Sequence, residues 1–251
     1  MSPALADDTA GTIDEARRLW RAVGRHNLMI KVPATSAGIP AIRQLIAEGL
    51  NVNVTLLFAV ETFERVAEAY LSGLEERAAQ NGDVSGIASV ASFFVSRIDT
   101  AIDPLLSAKA AETTDDTERS RLLALAGRAA IVNARLAYRR WGQLFSGPRW
   151  QALAERGARP QRLLWASTGT KNPAYRDTRY VEELIGPDTV NTLPPATMDA
   201  FRDHGEARTS LGGAIGESAT LIDDLAAAGI HLAEIADRLL ADGVQQFIDA
   251  F

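Results

Sequence analysis

The stretch Asn27–Phe58, NLMIKVPATSAGIPAIRQLIAEGLNVNVTLLF, reads as a strand, a helix and a second strand. In the first segment, Asn27 to Pro33, a period of two puts Met29, Lys31 and Pro33 on one side and Leu28, Ile30 and Val32 on the other. One lysine thus interrupts an apolar run. In the second segment Asn51, Asn53, Thr55 and Leu57 share a face, and Val52, Val54, Leu56 and Phe58 share the opposite one. Between them, Gly38 and Pro40 open a helix whose inward residues are Ile42, Leu45 and Ile46, and Gly49 ends it. This is a βαβ unit, which predicts two parallel strands joined by a right-handed crossover. Each strand has an aliphatic face suited to packing under helices and a second face carrying Lys, Asn or Thr, as a barrel interior with a reactive group requires.

Working outward, Met1 to Ala10 is a polar lead-in, and Thr12 with Glu15 spells a capping box for a helix that Gly24 stops. A helix over Val60 to Gln80 buries Phe63, Val66, Ala67, Tyr70 and Leu74. Ile87 to Asp99 is a third strand, with Val90, Ser92 and Phe94 on one face and Arg97 at its far end. Asp103 to Phe145 reads as two helices broken near Thr113–Thr117, and a short helix begins at Arg149. Arg162 to Thr168 is a fourth strand running into the polar turn Thr168–Pro173, whose N–H groups and Lys171 ammonium suit an anion. A helix over Tyr180 to Ile185 precedes a fifth strand, Thr189 to Leu193, and helices fill the rest, broken at Gly205, Gly212–Gly213, Gly229 and Gly243. Gly212–Gly216 is no dinucleotide loop, because no strand leads into it.

Composition narrows the function classes. With 251 residues, 47% of them hydrophobic, the chain can bury one full core, so residues 1–251 are read as a single domain. A net charge of −6 argues against nucleic-acid binding by bulk electrostatics. The lack of cysteine excludes disulfides, thiolate metal sites and cysteine nucleophiles. Three scattered histidines predict no metal site. The absence of a long apolar run and of an apolar leader argues against a membrane or secreted protein, and a cytoplasmic one is expected.

The motifs NLMIKVPAT, NVNVTLLF, ASFFVSRID, LLWASTGTKNPAYRDTRYVEELIG and TVNTLPPAT, in this order, resemble bacterial transaldolase of the actinobacterial type. The resemblance implies an α/β fold of the (β/α)8 TIM-barrel family, with about five of the eight parallel strands recognisable in this chain among many helices. It implies a transferase of the pentose phosphate pathway that moves a dihydroxyacetone unit from a ketose phosphate to an aldose phosphate without a cofactor. By the same resemblance Lys31 is the Schiff-base lysine, Asn53 and Thr55 are polar groups around it, and Ser92, Arg97 and Ser167 bind substrate. Lys171 is read as standing in for an arginine that many relatives carry near that turn. The resemblance also points to a departure at the front. Relatives place three further strands, bearing an aspartate and a glutamate used in proton transfer, ahead of the segment that resembles Ser2–Thr9 here. Two alternatives follow: a weakly active homologue needing a partner chain or complementing N-terminal segment, possible as a homo-oligomer, or a specialised C3-transferring aldolase of sugar biosynthesis.

The chemistry asks one thing of Lys31. Its amine attacks a ketone only when unprotonated, so its pKa must fall well below the ordinary lysine value of about 10.4. The reading therefore expects Lys31 to be held away from water by its aliphatic neighbours.

Overall fold

The computed structural model describes residues 1–212 and 215–251, the side chains of 215–219 excepted. After a single 3-10 turn at Pro3–Leu5, helix α1 spans Thr9–Val23. Its N-cap is Asp8, whose carboxylate accepts from Gly11 N at 2.9 Å, and not Thr12. Thr12 lies inside the helix and donates to Leu5 O, so the apparent capping box was a coincidence of spacing. Gly24 closes α1 in the left-handed conformation, as expected.

The βαβ unit is β1 (Ile30–Pro33), α2 (Gly38–Ala47) and β2 (Val52–Leu57), with the strands parallel. Lys31 sits opposite Asn53 and Pro33 opposite Thr55. The predicted first strand, Asn27 to Pro33, is three residues too long. Asn51 explains why: its side-chain amide donates to His26 O and Leu28 O at 3.0 and 3.1 Å, holding the approach to β1 by a side chain instead of by the ladder. The same side chain accepts from Ala88 N at 2.8 Å, fixing the approach to the third strand as well. Gly38 cannot carry a side chain, since a Cβ there would stand 2.1 Å from Pro33 O. Leu56 has φ +60°, which breaks the alternation of β2. Leu56, and not the Leu57 read as sharing a face with Asn53 and Thr55, lines the same cavity as Lys31.

The chain continues through α3 (Val60–Ala79), β3 (Ser89–Phe94), α4 (Ser96–Glu112), α5 (Asp116–Leu125), α6 (Ala129–Leu144) and α7 (Pro148–Ala154). It ends with β4 (Arg162–Ala166), α8 (Arg179–Glu182), β5 (Thr189–Asn191), α9 (Pro195–His204), α10 (Ile215–Ala227) and α11 (Leu232–Ala250). The five strands form one sheet in the order β1-β2-β3-β4-β5, so each strand lies beside its neighbour in sequence. The predicted third strand overran: Ser96 to Asp99 are the first turn of α4, which moves Arg97 from a strand end to a helix start. The span read as two helices is three, because Gly127 at φ +68° separates α5 from α6. Gly243 breaks nothing and lies within α11. The Gly212–Gly216 reading lies in part outside the described residues.

The chain divides into two compact units. The first comprises Met1–Ser92, Arg140–Leu163 and Leu240–Phe251. Its core is the fully buried set Ile42, Leu45, Ile46, Phe63, Val66, Tyr70 and Leu74. Tyr70 satisfies its hydroxyl by donating to Arg159 O at 2.7 Å, and its ring meets Phe145, which in turn packs edge-on against Trp150. Gly73 lets α3 approach α2, since a Cβ there would lie 2.6 Å from Arg43 O.

The second unit comprises Phe93–Arg139 and Leu164–Leu239. Trp165 is wholly buried and stands edge-on to Phe93, with ring centroids 6.3 Å apart. Asp99, 1% exposed, accepts from Ala130 N at 2.8 Å and from the Tyr180 hydroxyl at 2.9 Å. Burial pushes its carboxyl up to about 6 despite these donors. The folded state therefore binds this proton more tightly than the unfolded one. The stabilisation is full below the ordinary value of 3.8 and is lost as pH rises through about 6. Melting of the wild type and of D99N across that window should diverge, the wild type losing up to about 3 kcal/mol relative to the variant. Parallel pH curves would show that Asp99 titrates normally.

Candidate active site

In the first unit, the βαβ unit supplies three polar side chains, Lys31, Asn53 and Thr55, and β3 adds a fourth, Ser92. Lys31 projects from β1, and the register sets Asn53 beside it on β2. Ser92 of β3 donates to Asn53 Oδ1 at 2.7 Å, which fixes the amide and leaves Asn53 Nδ2 as a donor. Thr55 and Lys31 line one cavity of ≈ 290 Å3 together with Pro33, Leu56 and, from α11, Val244 and Phe247. Thr55 is 4% exposed, and its Oγ1 has no hydrogen-bond partner among the described residues. A buried hydroxyl without a partner costs free energy and is free to bind a ligand hydroxyl or water.

Lys31 is not shielded in the way expected of it. Its side chain counts as exposed, and its aliphatic neighbours Ile30 and Val32 are buried on the other face of β1. Its cover comes from α11, where the Phe247 ring lies 5.5 Å from Nζ. The surroundings still remove enough water to lower the amine's pKa from the ordinary lysine value, burial being the cause. The two influences differ in sign. Desolvation favours the neutral amine, whereas the π face of Phe247 attracts the ammonium. No sequence pattern announced Phe247, because the contact joins segments at opposite ends of the chain.

The second unit holds the remaining predicted residues. Arg97, the second residue of α4, is half-buried with its guanidinium 5.4 Å from the Phe94 ring centroid. Ser167 follows β4 with φ +56°, and its carbonyl accepts from Ser96 N at 3.0 Å. The two hydroxyls, Ser96 Oγ and Ser167 Oγ, lie 3.1 Å apart. Ser96 was missed because the strand had been drawn through it. No capping side chain marked the true start of α4, because its N-cap is Val95. Thr168 donates to Asn191 Oδ1 at 2.8 Å, tying the polar turn to β5. Thr170 donates to Arg176 O and Asp177 O, closing the loop on itself, and Lys171 stands exposed.

The whole chain, residues 1–251, matches the family model described as Transaldolase/Fructose-6-phosphate aldolase. The chain belongs to that family. The family fold is a (β/α)8 barrel, in accord with the βαβ unit and sequential strand order described above. Among similar proteins, "Transaldolase 2" of Nostoc sp. is 49% identical over 252 residues, covering 99% of this chain and 66% of the relative. "Transaldolase" of Saccharopolyspora erythraea is 50% identical over 248 residues, covering 98% and 65% respectively. "Transaldolase" of Mycobacterium ulcerans is 49% identical over 249 residues, with the same coverage, 98% and 65%. The actinobacterial resemblance read from the motifs is thereby met. This transaldolase-family chain spans just under two thirds of the length of the relatives it matches. Among its described residues no helix is long and apolar enough to cross a membrane.

Proposed function

We propose that the chain is a cytoplasmic transaldolase acting on sugar phosphates, with residues 1–251 working as one transaldolase-like domain. Lys31 is its nucleophile. The neutral amine adds to carbon 2 of the ketose, and loss of water gives an iminium that draws electrons from the bond between carbons 3 and 4. That bond breaks, the aldose phosphate leaves, and the enamine on Lys31 awaits an acceptor aldehyde. Asn53, held by Ser92, donates to a donor hydroxyl. Thr55 Oγ1 holds the water or hydroxyl through which protons move, a service that typically gives about 10² to 10⁴ in rate when a good acid or base performs it. Arg97, Ser167 and Lys171 are assigned to the substrate phosphate, Arg97 as the strongest candidate because its guanidinium offers a planar fork.

The observation that carries this reading is the pairing of a lysine of lowered pKa with an unpartnered threonine hydroxyl in one cavity, on adjacent parallel strands. Strands β1 and β5 end the sheet order, and such end strands are where further strands of a longer chain or a second copy would add. Reduction with borohydride in the presence of fructose 6-phosphate tests it. A reduced C3 adduct on the peptide containing Lys31 is expected, and no adduct on any lysine would end the proposal. The family description also names fructose-6-phosphate aldolase, and the same lysine serves both reactions. Release of free dihydroxyacetone without an acceptor would favour that second activity.

A further inference from the structure

The second unit contains a cavity of ≈ 450 Å3 whose wall is crowded with guanidinium groups. Arg128 and Arg135 reach it from α6 and its N-terminal approach, Arg176 and Arg179 from the segment around α8. In a chain of net charge −6, four arginines around one hollow are a local inversion of sign.

The carboxylates present do not neutralise them all. Glu182 pairs with Arg176 at 3.0 Å. Glu183 pairs with Arg135 at 2.6 Å and is shared with Arg208 at 3.4 Å. Arg128 and Arg179 make no direct ion pair with a carboxylate among the described residues, although the charge of Arg179 is felt by Asp99. Arg179 is nevertheless fixed in place: it donates to Gly127 O at 2.6 Å and lies over the Tyr175 ring at 4.7 Å. Tyr175 is itself anchored by donating to Asp103 at 2.7 Å. Arg135 Nε is buried and has no acceptor among the described residues. Ile131 and Val132 add an apolar patch to the wall.

A guanidinium held in place, an exposed one and an unmet buried donor line the same cavity, and such donors are the kind that bind a tetrahedral dianion. The volume falls in the range of small-molecule sites, about 300 to 1,000 Å3, and is too small for a polymer. We propose that this cavity is a second anion site, which takes a phosphate monoester with a short carbon body, held by Arg128 and Arg179 and backed by Arg135 and Arg176. The apolar patch of Ile131 and Val132 receives the carbon body. The site shares no residue with Lys31, Arg97, Ser167 or Lys171, so it stands apart from the catalytic proposal.

Calorimetric titration with glycerol 3-phosphate, at physiological ionic strength of about 0.15 M, tests it. The titration is made on the full chain and on R97Q, in which the phosphate position assigned to catalysis is weakened. Saturable 1:1 binding should persist in R97Q and weaken about tenfold or more when R128Q is added. R179Q should weaken it further. Because Arg128 is exposed and its side chain makes no hydrogen bond among the described residues, R128Q leaves the fold intact, and an unchanged melting curve verifies this. The site is refuted if R97Q alone abolishes binding, or if R128Q leaves the affinity unaltered in both backgrounds. A failure of borohydride trapping at Lys31 would leave this result standing.

Discussion

Lys31→Met should abolish adduct formation and lower the rate of C3 transfer by about 10³-fold or more, since the proposal gives the covalent intermediate to Lys31 alone. Methionine is the informative replacement. It keeps an unbranched side chain of similar length beside Phe247 and Leu56, so packing in the cavity is preserved while the amine is removed. Lys31→Arg should be equally inactive, because guanidinium stays protonated at any working pH. The wild-type rate of trapping should rise with pH and level off once the amine is neutral, at a pH below that of an ordinary lysine. Unchanged melting curves for both variants, combined with retained activity, would transfer the nucleophile's role elsewhere. A rate that went on rising up to the ordinary lysine value would show that burial does not depress the amine as proposed.

Trp165→Ala should cost about 3 to 5 kcal/mol of stability, the largest single loss expected anywhere in the second unit. Its side chain is wholly buried, and Phe93 would lose its edge-on partner. The indole N–H contributes nothing to offset the change, because it is buried without an acceptor among the described residues. For that reason Trp165→Phe should cost much less, under about 2 kcal/mol: it keeps an aromatic ring and removes an unmet donor. Chemical denaturation of both variants would measure the difference. Equal losses would mean that the indole nitrogen does find a partner.

The order of elements was legible because hydrophobic period and glycine or proline punctuation both act locally. The βαβ unit, α3, and the positions of β4 and β5 all followed from such signals. Boundaries were not, and the reasons differ. Asn51 shortened β1 by hydrogen bonds from another strand. Leu56 reversed its face through a positive φ that no leucine advertises. Gly243 looked like a break but serves as a gap, since a Cβ there would come within 2.8 Å of Leu56 Cδ2. Of the site, Lys31, Asn53, Thr55 and Ser92 were each read on the correct strand, and the structure places all four in one unit. Arg97 and Ser167 were read on strands and occupy a helix start and the residue just after β4. The part α11 plays at Lys31 depends on a contact across more than two hundred positions of sequence, where local pattern carries no information.

Asn51 has a consequence for how the scaffold tolerates change. One carboxamide rivets the lead-ins of both neighbouring strands, so alignment is set at the end where β1, β2 and β3 begin. The opposite ends are thereby released from that duty. Loops grafted after Pro33, Leu57 or Phe94 could differ in length and chemistry without shifting the alignment, whereas trading Asn51 for an aspartate would unfasten the side that every such graft relies on.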